Sequence, residues 1–340
     1  MKRIISSIFL RVSSLSTLIL RVFSPESSHF LALNGLKLID SLGINIVSQK
    51  STKVSYELLD LKFKNRLGIA GGLDKSGDYI KPLTNLGVSF LELGTVTPNP
   101  QKGNPKPRLY RDIKNFSLIN RMGFNNKGVE YLVSKIKKLE IDCHLAVSIG
   151  KNSDTPYEKT IDDYVFCMDK AYPVANLITV NISSPNTLNL RTLQSPKNLS
   201  ELISVLKERQ FELSRKYGYK PLLVKISPDE NKSNLEEISK ILITKEVDGL
   251  IATNTTVFDS NNVEVKGGIS GSLLLKKSTH VLSTMRKLLG REFPIIASGG
   301  VIDVKTYKEK IENGANLVQI YTGLIFKGPR LIQEIIDIQE

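Results

Sequence analysis

Asparagines and hydroxyls crowd three short stretches of this chain: Asn120-Arg121-Met122-Gly123-Phe124-Asn125-Asn126, Asn181-Ile182-Ser183-Ser184-Pro185-Asn186-Thr187 and Ala252-Thr253-Asn254-Thr255-Thr256. Each asparagine side chain carries both donors and an acceptor, so several that converge can hold a small, planar, amide-bearing ligand from several sides. The second stretch follows Leu177-Ile178-Thr179-Val180, an apolar run that reads as a buried strand. Polar groups gathered at the mouth of a buried strand are costly unless something binds them. The pattern points to a catalytic pocket.

The elements that must position these residues follow a repeating rhythm. Short apolar runs stand at 67–70, 90–93, 145–149, 177–180, 222–226, 249–252, 295–297 and 317–320. Most alternate with helical patterns, as at 126–139, 198–217, 231–245, 273–289 and 304–313. Strand-helix units repeated in this way predict an α/β fold, a (β/α)8 barrel. A doubly wound sheet is the rival, but no two glycines are two apart, so the G-x-G-x-x-G fingerprint is absent. A short alternating pair, 55–59 and 62–65, reads as a hairpin before the first run. The long gap after the second run holds Pro98, Pro100, Pro105 and Pro107, which predicts an excursion over the barrel mouth. Barrel chemistry sits at strand C-terminal ends. Polar motifs stand there: Gly71-Gly72-Leu73-Asp74-Lys75, Gly94-Thr95-Val96-Thr97, Ser298-Gly299-Gly300 and Tyr321-Thr322-Gly323. Glycines after the seventh and eighth runs suit a phosphate cradle of backbone N–H groups.

Residues 1–23 differ from the rest. Their apolar residues fall close to helical spacing, among Lys2, Arg3, Arg11 and Arg21, with no acid before Glu26. The charge-free run 12–20 is too short to span a bilayer, and no Ala-x-Ala-like cleavage site follows. This reads as a basic amphipathic helix lying on a membrane. A second amphipathic helix runs from about 25 to 42, with Ser24 placed to cap it and Gly43 to end it. Residues 1–48 therefore form a membrane-associating helical hairpin, and 49–340 the barrel. The net charge of +13 is spread along the chain among 34 acidic residues, so it describes solvated helix faces rather than a nucleic-acid surface. Two cysteines without CxxC spacing and three scattered histidines suggest neither a disulfide framework nor a metal site.

The motifs Ala70-Gly71-Gly72-Leu73-Asp74-Lys75, Glu92-Leu93-Gly94-Thr95-Val96-Thr97-Pro98, 120–126, 181–187 and Gln319-Ile320-Tyr321-Thr322-Gly323 together resemble dihydroorotate dehydrogenase. The N-terminal hairpin and Ser184 make the chain similar to the membrane-associated, quinone-reducing class 2 members. The resemblance implies one non-covalent FMN per chain and oxidation of dihydroorotate to orotate in pyrimidine synthesis. It implies a monomer on the cytoplasmic face of a bacterial inner membrane. Ser184 matches the catalytic base, with Thr187 as nearby support. Lys75 matches the partner of the substrate carboxylate. Asn120, Asn181, Asn186 and Asn254 match residues that hold the substrate's amide edges, with Arg121, Met122, Gly123, Phe124 and Thr255 in the same loops. Gly71, Gly72, Leu73, Asp74, Lys75, Thr95, Asn181, Lys225 and Thr253 match flavin contacts. Gly271, Gly300, Tyr321 and Thr322 match the ribityl and phosphate cradle. His29 and Arg111 match the polar pair of a quinone tunnel. One departure stands out: Ser148 occupies a flavin-contact position where the family commonly has Asn, and a hydroxyl replaces only one of the amide's hydrogen bonds.

Two rival functions remain open to the residues. One is a soluble flavin barrel acting on a pyrimidine with a nicotinamide or fumarate partner, against which the N-terminal hairpin argues. The other is a membrane- or RNA-binding protein with a vestigial barrel, against which the intact Lys75, Asn120 and Ser184 loops argue.

Overall fold

All eight apolar runs become strands of one closed parallel barrel in a computed structural model that describes residues 17–44, 55–258 and 267–339. The strands are β1 (Leu67–Ile69), β2 (Phe90–Val96), β3 (His144–Ile149), β4 (Leu177–Asn181), β5 (Leu222–Ile226), β6 (Gly249–Ala252), β7 (Ile295–Ser298) and β8 (Leu317–Ile320). Each pairs in parallel with the next. Val318 opposite Leu67 and Ile320 opposite Ile69 close the ring. Helices cover one face and the barrel interior fills the other, which is why these strands read as unbroken apolar runs.

The helices between them keep their sequence signals. Helix Lys232–Thr244 starts at Asn231, whose side chain accepts from Asn234 N. Helix Val304–Glu312 starts at a capping box between Asp303 and Thr306. Helices Pro196–Tyr217 and Leu275–Leu289 end at Gly218 and Gly290, both at positive φ. The helix expected over 126–139 is shorter, Val129–Ile136, because Gly128 at φ +85° holds the chain out of helical geometry before it.

The two ends of the barrel are closed differently. At the N-terminal end, strands Tyr56–Leu58 and Leu61–Phe63 form the expected hairpin. Its Phe63 joins Phe90, Ala146, Leu177, Leu223, Ile251, Ile296 and Leu317 in a separate buried cluster that plugs the bottom. At the C-terminal end a four-stranded antiparallel sheet lies beside the loops. Its strands are Leu109–Asp112, Ser117–Asn120, Gly267–Gly271 and Thr256–Phe258. The excursion after β2 was legible in the sequence. The sheet was not, because half of it comes from the β6–β7 connection, and Asn120 bonds Gly268 across 148 residues.

Helix Pro25–Ser41 begins where expected, with the Ser24 hydroxyl accepting from Ser27 N at 3.3 Å and proline in the first turn. It ends at Leu42, before Gly43 at φ +69°. The helix packs on the short helix Ile80–Thr84 and on strand Leu109–Asp112. The Glu26 carboxylate pairs with Arg108 at 3.0 Å, and Leu33 is buried. Residues 1–16, where most of the first amphipathic helix is expected, and residues 45–54, where the boundary between the two expected units falls, lie outside the described residues.

Candidate active site

Loops from all round the barrel mouth converge on one polar cavity. The β1 loop brings Gly71, Gly72 and Lys75, the end of β2 brings Thr95, and β4 with its loop brings Asn181, Ser184 and Asn186. Lys225 comes from β5, Thr253, Asn254 and Thr255 from the β6 loop, Gly300 from β7, and Tyr321 and Thr322 from β8. The covering sheet and its flank add Asn120, Met122, Gly123, Phe124 and Gly271.

The asparagines interlock. Asn186 donates to Asn120 Oδ1 at 2.9 Å, and Asn254 donates to Asn181 Oδ1 at 3.2 Å and to Ser183 Oγ at 3.1 Å. Asn181 donates to Thr95 Oγ1 at 2.7 Å, and Thr95 shares a 2.8 Å hydrogen bond with Ser148. Each amide is oriented by its neighbour yet keeps capacity for a ligand. Ser184 is buried beside them, and its Oγ accepts from Asn186 N at 3.3 Å. Thr187, three residues on, has a buried hydroxyl with no partner among the described residues.

Charge is concentrated at two points. Lys75 donates to Gly72 O at 2.6 Å. Burial pushes its amine down to about 8; the Arg108 charge adds to this, while Asp74 and Glu26 oppose it. On the cavity floor, fully buried Glu92 accepts from Gly71 N at 3.0 Å, Lys225 Nζ at 3.0 Å and Gln319 Nε2 at 2.9 Å, all on Oε2. Glu92 Oε1 and Gln319 Oε1 have no partner among the described residues. Buried acceptors left open at a cavity wall fit a ligand with its own N–H groups.

The glycines form the cradle that the sequence suggested. Gly271 and Gly300 sit at φ +91° and +87°, where a Cβ would stand 2.2 Å from Phe116 O and 2.4 Å from Leu275 Cα. The backbone N–H groups of Gly299, Gly300 and Tyr321 donate to no backbone carbonyl among the described residues. Open amides in a positive-φ loop suit an oxyanion. The donor set therefore fits a flavin with a terminal phosphate: open amides at one end, a lysine and open acceptors at the other.

Some residues named from the sequence stand back from the cavity. Asp74 spends its carboxylate on the backbone N–H groups of Ser76, Gly77, Asp78 and Tyr79, which shapes the loop carrying Lys75. Leu73 is a core residue behind that loop, and Arg121 points away to bond Pro107 O. Ser148 is buried beneath Thr95.

Other residues escaped the sequence reading. Glu92 and Gln319 are polar residues inside apolar strands, a signal that was available. Arg191 was not: its guanidinium bonds Ser183 O, Asp229 and Thr255 O at 3.0, 2.7 and 2.9 Å, tying three mouth loops together. Burial would raise the Asp229 carboxyl, but bonds from Lys277, Thr256, Val257 N and Arg191 outweigh it and hold it at about 2.

A second cavity, of about 400 Å³, is apolar and lies under helix Pro25–Ser41. Leu20, Leu36, Ile39, Leu83 and Phe326 are among its walls, and His29 and Arg111 are its expected polar pair. Arg111 donates to Arg21 O and Ser28 Oγ, both at 3.0 Å, so it anchors the turn before the helix. Burial chiefly, then the Lys75 charge, pushes the His29 imidazole down to about 4, against a Leu73 backbone hydrogen bond. That coupling joins the two cavities: Leu73 lines the apolar one and belongs to the same loop as Lys75.

Comparison with known proteins gives a consistent result. The family profile described as dihydroorotate dehydrogenase matches residues 53–339. A protein of Aliivibrio salmonicida named dihydroorotate dehydrogenase (quinone) is 46% identical, over 92% of this chain and 95% of its own. One of the same name from Buchnera aphidicola is 44% identical, over 94% and 97%. Among solved structures, the Eimeria tenella DHODH in complex with ferulenol superposes with a TM-score of 0.84 at 31% identity, covering 92% of this chain and 90% of that one.

Proposed function

The chain belongs to the dihydroorotate dehydrogenase family, and from that premise we propose which of its residues do the work of each half-reaction. The enzyme is an oxidoreductase that takes dihydroorotate to orotate in pyrimidine synthesis with a quinone as acceptor. The polar cavity is the dihydroorotate site. An FMN held in that cavity would supply the chemistry the side chains lack, acceptance of a hydride from the substrate's C6 and onward transfer of two electrons to a quinone.

The chain's own groups act on the rest of the substrate. Lys75 pairs with the substrate carboxylate, and its depressed amine becomes a full cation when that anion arrives. Asn120, Asn181, Asn186 and Asn254 hold the amide edges of the ring. Ser184 Oγ removes the proton from C5. A free hydroxyl is a weak base, so Ser184 needs a neighbour to take its own proton on, and the Thr187 hydroxyl, buried without a partner among the described residues three positions on, is available for that relay. Lys225, its amine fixed in place by Glu92, would lie against a bound flavin and favour negative charge there. Gly271, Gly300, Tyr321 and Thr322 hold its ribityl and phosphate end. Thr95, Thr253 and Ser148 complete the flavin pocket; Ser148 acts there through the Thr95 hydroxyl.

The apolar cavity is the quinone site, with His29 and Arg111 as its polar groups. No helix among the described residues is long and apolar enough to cross a membrane. Leu18, Ile19, Val22, Phe23, Phe30, Leu31 and Leu38 are nevertheless exposed around the entrance helix. Such a surface suits a monomer that rests on the cytoplasmic face of a bacterial inner membrane and draws quinone from the lipid.

The observation that carries this reading is that Lys75, four asparagines and Ser184 share one cavity. The test is to denature the purified protein with acid and identify the flavin released, then titrate intact protein anaerobically with dihydroorotate. One FMN per chain, bleached by dihydroorotate and recoloured by a quinone analogue, is expected. FAD, no flavin, or bleaching by a nicotinamide alone would overturn it.

A further inference from the structure

Lys310 is a fully buried lysine that neither half-reaction uses. Its ammonium donates to two hydroxyls, Ser278 Oγ at 2.7 Å and Thr279 Oγ1 at 2.8 Å. Among the described residues no carboxylate forms an ion pair with it; the nearest acidic influence is its chain neighbour Glu309. A buried ammonium without a counter-charge is expensive, and its usual remedies are loss of the proton or a nearby anion. Burial pushes this amine down to about 7, so near neutrality an anion would readily restore the charge.

The hydrogen-bond chain shows where that anion would sit. Lys310 donates to Ser278, whose one hydroxyl proton is shared between Gly299 O at 3.0 Å and Leu275 O at 3.1 Å. That carbonyl belongs to the peptide whose N–H is Gly300's. Gly299 and Gly300 line the polar cavity, and the Gly300 N–H has no backbone acceptor. A donor on a peptide's oxygen polarises the peptide and strengthens its N–H as a donor on the other side.

We propose that Lys310 is a positioning residue for phosphate: through Ser278 and the Gly299–Gly300 peptide, it makes the cavity's glycine loop select a phosphorylated flavin over an unphosphorylated one. The proposal rests on the reading that this loop faces the FMN phosphate. Lys310 itself never touches the ligand.

Flavin affinity of stripped and reconstituted protein, read by flavin fluorescence, separates this role from a merely structural one. Wild type should prefer FMN to riboflavin strongly. Lys310→Met should lose about tenfold in FMN affinity, the size of one strengthened charge-assisted contact, while riboflavin affinity stays level. Lys310→Arg, which keeps a cation, should recover part of the loss. Ser278→Ala leaves the charge but breaks the chain, so it should show a smaller loss confined to FMN, and it provides the test if Lys310→Met does not fold. Equal weakening of both ligands, or none in Lys310→Met and Ser278→Ala alike, overturns the proposal. A wild type indifferent to the phosphate would instead sink the FMN assignment itself, and this proposal with it.

Discussion

The two cavities are built on opposite principles. The polar one is over-determined: Asn120 with Asn186, Asn181 with Asn254 and Thr95, and Lys225 with Glu92 each fix the other's orientation. The apolar one gathers its directional bonds at one end, around Arg21, Ser28 and Arg111, while aliphatic side chains make up most of its other walls, and its shape depends on how helix Pro25–Ser41 lies against the barrel. On the function proposed above, the difference suits the two ligands. A small, charged, amide-rich substrate is discriminated by hydrogen bonds that would otherwise be left unpaired. A lipophilic quinone needs a dry path and few polar contacts. Changes to the first cavity should therefore alter chemistry steeply, and changes to the second should alter access.

The steepest test of that contrast is Ser184→Ala. Flavin reduction by dihydroorotate in stopped flow should slow on the order of 10²–10⁴-fold, the usual contribution of a positioned base. Orotate binding and reoxidation of the flavin by quinone should hardly change. Wild-type reduction rates would remove Ser184 from the mechanism.

Lys75 offers a graded version of the same test. Its amine sits at about 8 in the free protein, so the cationic form that pairs with a carboxylate is present below that pH and lost above it. Dihydroorotate affinity should fall by about tenfold per pH unit above about 8. Quinone affinity should stay level over the same range, because no group of the apolar cavity is charged by that change. A flat profile for dihydroorotate to pH 9.5 would separate Lys75 from the substrate carboxylate.

For the apolar cavity, Gly35→Phe is the sharper probe. Gly35 lines the cavity, and a Cβ built on it meets nothing within 4 Å. It lies within helix Pro25–Ser41, where glycine costs up to about 1 kcal/mol relative to a better helix former. The substitution should thus preserve the fold while filling quinone space, lowering kcat/KM for a long-chain quinone by about tenfold through steric exclusion. The dihydroorotate half-reaction should be untouched. If both half-reactions slow together, the two cavities are not separate sites.

How legible each region was in the sequence follows from the same contrast. Eight apolar runs, the cap at Ser24, and the loops carrying Lys75, Asn120, Ser184 and Asn254 could be read locally, because each signal lies within a few consecutive residues. The covering sheet could not, since Ser117–Asn120 and Gly267–Gly271 meet only in three dimensions. Arg191 was equally hidden, as its partners Ser183, Asp229 and Thr255 belong to three different loops. The apolar cavity pairs Leu36 with Phe326 from the far end of the chain, and an apolar side chain carries no mark of which cavity it will line. His29 and Arg111 were tied to one another in the sequence only by the resemblance, and both line this cavity.

The smallest expected effect concerns His29, the apolar-cavity residue that feels the Lys75 charge. The folded His29 imidazole sits at about 4, against an ordinary value of 6.5. Above pH 6.5 the ring is neutral in both folded and unfolded chains and adds no pH dependence. Between 6.5 and about 4 the unfolded chain takes up a proton that the folded one refuses, so stability falls as the pH drops and levels off below about 4. Water reaching the half-buried ring limits the loss to about 1 kcal/mol. His29→Gln should flatten the fall in melting temperature by that share, measured against wild type at each pH so that other titrating groups cancel. Pre-charging Lys75 drives part of the shift, so His29→Gln should also ease the depression of the Lys75 amine little or not at all: a neutral ring gives Lys75 no charge to respond to. If the dihydroorotate pH profile moved by a full unit in His29→Gln, the ring would be charged in the native protein, and the apolar cavity would not be the dry site that its walls describe.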